Sequence, residues 1–149
     1  MKTALCALAL CASAGLATTV AAEPWTDWTP TKGATEVMTL KVDPNHIDDY
    51  LTGLRKSWVI GQEIAKKHGV IDWYQVMVKL NASGGENVVL IVHYPSLANL
   101  EPDKARDQAI QAEGYAALSK EEGAKMVTGY DKYRTFVSDE IWTGVDYPK

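Results

Sequence analysis

The chain has 149 residues, 46% of them hydrophobic, with 15 basic against 19 acidic side chains and a net charge of −4. That length suits one domain with a core of its own. The acidic balance, with no basic run to neutralise phosphates, argues against a nucleic-acid or anionic-membrane partner.

The chain opens with Lys2, then the apolar stretch Ala4 to Leu10, then small residues up to Val20-Ala21-Ala22. These are the parts of a secretory signal peptide cut after Ala22. A transmembrane anchor fits less well, because the strongly apolar part is too short for about 30 Å of hydrocarbon. Ser13, Gly15, Thr18 and Thr19 dilute the rest. Cys11 follows Leu10 rather than a small residue, which disfavours a lipoprotein anchor. The expected organisation is a leader over 1–22, an N-terminal arm over 23–35 and a single domain over 36–149, periplasmic or secreted and free of the membrane once mature. Cys6 and Cys11 leave with the leader. The mature chain then has no disulfide, thiol nucleophile or thiolate metal ligand, and Lys2 goes too, leaving 14 basic against 19 acidic side chains.

In the arm, Trp25 and Trp28 are expected to pack on the domain, as a cover over core or a lid over a pocket. Glu36 to Val42 alternates with period two and reads as a half-buried strand. Asp43-Pro44 starts a helix, and Ile47, Leu51, Leu54, Trp58 and Ala65 give it one apolar stripe. It is expected to run unbroken to about His68, with Gly69 as its cap and Gly61 marking a bend or a close backbone approach. Val70 to Leu80 is a second strand, with Trp73, Gln75, Met77 and Lys79 on one face and Tyr74, Val76, Val78 and Leu80 on the other. The turn residues from Asn81 to Glu86 join it to a third strand, Asn87 to Tyr94. (Asn81-Ala82-Ser83 also fits a glycosylation acceptor, a weak match.) The third strand is apolar on both faces and belongs in the middle of a sheet. Helices follow over Asp103 to Leu118 and Ser119 to Tyr133, the second opening with a capping box from Ser119 to Glu122. Arg134 to Thr143 reads as the last strand.

The order βαββαβ is the ferredoxin-like α+β plan, a four-stranded antiparallel sheet with helices on one face. Its other face, carrying Trp73 and Met77, is too apolar to stay wet. Two such sheets packed face to face, about 10 Å apart, would cover it. On this element order, the first helix ending in Lys67-His68-Gly69, the Trp73-Tyr74 strand and the closing strand Arg134 to Trp142, the chain resembles the dimeric α+β barrel superfamily, which includes the antibiotic-biosynthesis-monooxygenase-like proteins. The resemblance covers about Glu36 to Val145. It implies a homodimer with a ligand pocket between sheet and helices, and activities that range over cofactor-free oxygenases, isomerases and haem-degrading enzymes.

The histidines, His46, His68 and His93, have no zinc-site spacing, so no metal is expected. Phosphate-loop and nucleophile-elbow motifs are missing as well. His93, at the end of the apolar third strand, is the candidate general base or haem ligand; the competing reading is a strand-end histidine bonded to a backbone carbonyl. Tyr50, Trp58 and Tyr74 are candidates to line an aromatic pocket, or else ordinary core. Arg55 would anchor an anionic ligand or form a surface ion pair. His68 is a ligand-binding candidate or a partner for the helix C-terminus. The leading expectation is an exported homodimer that binds a small aromatic or apolar molecule between sheet and first helix, with conversion of that molecule by cofactor-independent oxygenase or isomerase chemistry left open. A non-catalytic, stress-associated interaction module is the second, and a haem-binding protein the third.

Overall fold

The computed structural model describes residues 23–81 and 84–149. The expected leader at 1–22, with Cys6, Cys11 and the cut after Ala22, lies outside them, as do Ala82 and Ser83 of the acceptor triplet.

A short strand β1 (Thr29–Pro30) leads into β2 (Ala34–Val42), followed by α1 (Ile47–Lys56), α2 (Trp58–Lys67), β3 (Trp73–Val78) and β4 (Val88–Tyr94). Then come α3 (Lys104–Ala117), α4 (Lys120–Tyr130), β5 (Arg134–Trp142) and a two-residue β6 (Val145–Asp146) that pairs with β1. The main sheet has the order β3-β4-β2-β5, antiparallel throughout. With its helices on one face, this is the ferredoxin-like α+β fold. β4 lies inside the sheet, where its two-sided apolar pattern requires it to be.

Period two decides which residues reach the core. Leu40, Val42, Val88 and Leu90 point to the helices and are buried, where they meet Tyr50 and Leu54 of α1 and Tyr130 of α4. Asn87 clamps the start of β4 to the end of β2: its amide donates to the Val42 carbonyl at 2.7 Å and its Oδ1 accepts from the Val42 N–H at 2.8 Å. The alternate positions face away from the helices. On that side Trp73 and Met77 of β3 are 41% and 42% exposed, and Trp142 of β5 is 56% exposed.

Two expectations need correction. The first helix is broken at Ser57, whose φ of −130° and ψ of −83° are not helical. There the Ser57 hydroxyl donates to the Gly53 carbonyl at 3.0 Å and meets the Tyr130 hydroxyl at 3.1 Å. A serine that bonds back to the fourth preceding carbonyl bends a helix. The close approach expected at Gly61 belongs instead to Gly53, where an added Cβ would lie 2.4 Å from the Tyr130 hydroxyl; at Gly61 it would meet nothing within 4 Å. The second correction concerns the arm. Trp28 is partly covered, but Trp25 stands 72% exposed with a φ of +71°.

Other boundaries match the pattern closely. Gly69 takes a φ of +71° and ends α2. The Ser119–Glu122 capping box is formed in both directions. α3 buries none of its residues and packs chiefly on α2, not on the sheet. β5 carries a bulge opposite Thr39 and Leu40: Thr39 pairs with Ser138 and Leu40 with Phe136, leaving Val137 between.

Candidate functional site

His93 lies on the helix-free face of the sheet. Its neighbours there are set by strand register: Trp73 of β3 and Thr35 of β2 pair with His93, and Trp142 of β5 pairs with Thr35. These four side chains form a cross-strand row, Trp73–His93–Thr35–Trp142, about 15 Å from end to end at ~4.8 Å per strand. The Trp73 and His93 rings are stacked, with centroids 5.3 Å apart and planes 4° from parallel.

Behind the row, Asp72 Oδ1 lies 2.6 Å from His93 Nδ1. The backbone holds both groups in place: the Trp73 N–H donates to the same carboxylate at 3.0 Å, and the Asp72 N–H donates to the His93 carbonyl at 3.2 Å. Burial works to raise the Asp72 pKa, but the bond to His93 and the backbone donors outweigh it and hold the carboxyl below its ordinary range. A ring whose Nδ1–H donates to Asp72 is fixed in orientation, with Nε2 as its second, unengaged nitrogen. This is an oriented imidazole stacked on one indole, with a second indole two strands away along the same row. The strand-end reading, in which His93 bonds a backbone carbonyl, is replaced by the bond to Asp72.

The other sequence-derived candidates lie elsewhere. Tyr50 is fully buried on the helix side, edge-on to Tyr130 at 5.2 Å and with Arg134 over its ring at 5.9 Å. Trp58 and Tyr74 meet edge-on at 5.5 Å, and Tyr74 donates to Glu63 at 2.5 Å, which with burial raises its pKa to about 12. A cleft of about 90 Å³ does lie between sheet and α2, lined by Glu36, Met38, Trp58, Gln62, Leu90 and Val92. It is smaller than the ~150 Å³ cavity that admits benzene. Tyr94 donates to Glu36 beside it, at 2.7 Å. His68 ties the end of α2 to α3, with Nε2 3.0 Å from Glu113. Arg55 is exposed and has no salt-bridge partner among the described residues.

The expectation that Tyr50, Trp58 and Tyr74 form an aromatic pocket near His93 is therefore corrected. The side chains alternate along β4, so Leu90 and Val92 face the helices and His93 faces the other way. Asp72, Thr35 and Trp142 were missed because cross-strand register brings them to His93. The strand-end position of Trp73, next to Asp72, was the one local signal.

No protein-family model matches the chain, and no curated protein matches it. Among solved structures it is similar to a dimeric protein of unknown function and ferredoxin-like fold from Bacteroides fragilis NCTC 9343, with 14% identity over 78% of this chain and 98% of that one and a TM-score of 0.44. It is also similar to a dimeric ferredoxin-like protein from an uncultured marine organism, with 12% identity over 79% of this chain and 90% of that one and a TM-score of 0.44. The fold assignment rests on strand order, not on these likenesses.

Proposed function

We propose that the protein acts outside the cytoplasm, after loss of its leader, as a face-to-face homodimer that binds a small flat aromatic or apolar molecule on the Trp73–His93–Thr35–Trp142 row. His93 handles a proton of that molecule, as in a cofactor-independent oxygenase or isomerase, and Asp72 orients the ring. The observation that carries this reading is the Asp72–His93 pair stacked on Trp73 within an uncovered apolar sheet face. A second copy covering that face would drain water from the row, and a drier site strengthens the polar contacts in it. The leader composition supports export.

Titration with 2-naphthol, a flat ring with one acidic proton, tests the row through indole emission. Saturable quenching is expected in the wild type. His93→Ala should weaken it by about tenfold, the scale of one lost hydrogen bond. Wild-type affinity in His93→Ala would sink the proposal.

A second reading has its own observation. Trp25 is held in a left-handed backbone conformation while 72% exposed. An exposed indole on a strained turn suits a contact surface for another protein. Truncation of residues 23–28, which removes Trp25 and leaves Thr35 and the rest of the row in place, separates the two, since only the second reading then loses its partner while naphthol binding persists.

A further inference from the structure

The helices α2, α3 and α4 do not close on one another. Between them runs a groove of about 560 Å³, walled by Ile60 and Ile64 of α2, Ile110 and Tyr115 of α3, and Leu118 beyond it. That volume falls within the range of about 300–1,000 Å³ typical of small-molecule sites. It is about six times the cleft under the sheet.

The floor of the groove is kept low by glycine. Gly61, Gly114 and Gly123 all line it, each inside a helix. A helix-interior glycine costs about 1 kcal/mol relative to alanine. Intramolecular packing does not call for glycine at Gly61 or Gly114, since an added Cβ there would meet nothing within 4 Å. The room above them is open to an occupant instead.

Charge gives the occupant a polarity. Lys120, at the start of α4, is the one formally charged side chain in the lining. It has no salt-bridge partner among the described residues. The carboxylate of Glu122 nearby is engaged by Ser119, with Oε2 2.6 Å from the serine hydroxyl. An apolar trough ending at an unpaired ammonium matches a chain with an acidic head.

We infer that this groove binds a single-chain carboxylate amphiphile, such as a medium-length fatty acid, with its acyl chain along Ile60, Ile64 and Ile110 and its carboxylate at Lys120. The site lies on the helical side of the sheet, away from His93, and does not depend on the function proposed for that residue.

Isothermal titration of the full mature chain with decanoate, kept below its micelle concentration, tests the assignment. One saturable site is expected. Decanol should bind about fivefold more weakly, the scale of one exposed ion pair, and decyltrimethylammonium should not bind. Gly114→Leu fills the floor and should abolish decanoate binding, with a thermal melt to establish folding; Ala124→Leu serves if that variant does not fold. Lys120→Glu should weaken decanoate but not decanol, and His93→Ala should change neither. Absence of decanoate binding, unchanged binding in the filled variant, or equal binding of the cationic amphiphile overturns the inference.

Discussion

The Tyr50 hydroxyl and Arg134 Nε are both buried, and neither has a hydrogen-bond partner among the described residues. Burial raises the Tyr50 pKa against the opposing pull of the Arg134 guanidinium. An unpaired buried hydroxyl costs about 1–3 kcal/mol. Tyr50→Phe is therefore expected to be neutral or stabilising by about 1 kcal/mol in urea unfolding. A clear loss would show that an ordered water or a ligand bonds that hydroxyl. Asp72 behaves differently. A carboxyl whose folded pKa is depressed contributes stability above its unfolded value of about 3.9, and that contribution is lost as pH falls through the folded value. The stability gap between wild type and Asp72→Asn should then be full at pH 5 and shrink towards pH 2. The gap will be modest, because the Asp72 side chain is about half exposed. A gap that stays constant over that window would show that the carboxylate adds nothing through its charge.

At the scale of elements, much of the fold was legible because strands announce themselves by alternation or by an unbroken apolar run, and several helical segments by their end signals. Asp43, Gly69 and the Ser119–Glu122 box all act as their residue types require. The break at Ser57 was not legible. No proline or glycine sits there, and its partner Tyr130 is 73 residues away in sequence. Gly53→Ala tests the account: its Cβ would press on the Tyr130 hydroxyl, and a loss of about 1–3 kcal/mol is expected on chemical denaturation. A neutral result would mean that α1 and α4 can separate without cost. The candidate site was half legible for the same reason. Position at the end of a strand singled out His93, whereas its companions Asp72, Thr35 and Trp142 depend on pairings between distant segments.

For the whole molecule, the decisive feature is the side of the sheet that no helix covers. Trp73, Met77 and Trp142 are exposed there, and apolar clusters of this kind mark contact surfaces. Met77 lies on the edge strand β3 and pairs with Val89 of the central strand β4. Met77→Lys would place a like charge on both copies of a symmetric interface and is expected to give a monomer by sedimentation, with the far-ultraviolet spectrum unchanged. A wild-type chain that sediments as a monomer would remove the proposed covering copy and leave His93 facing water. The groove among α2, α3 and α4 would be untouched by that result.

The extra residue in β5 has a further consequence. Val137 offsets the two halves of the strand by one position, so Arg134 reaches the tyrosines on the helical side while Trp142 lies across from Thr35 on the other. In a strand of strict alternation, residues 134 and 142 would share one side, being an even number apart. Deleting Val137 would thus force a choice between anchoring the guanidinium and completing the indole row. One insertion lets a single edge strand serve both surfaces of the sheet.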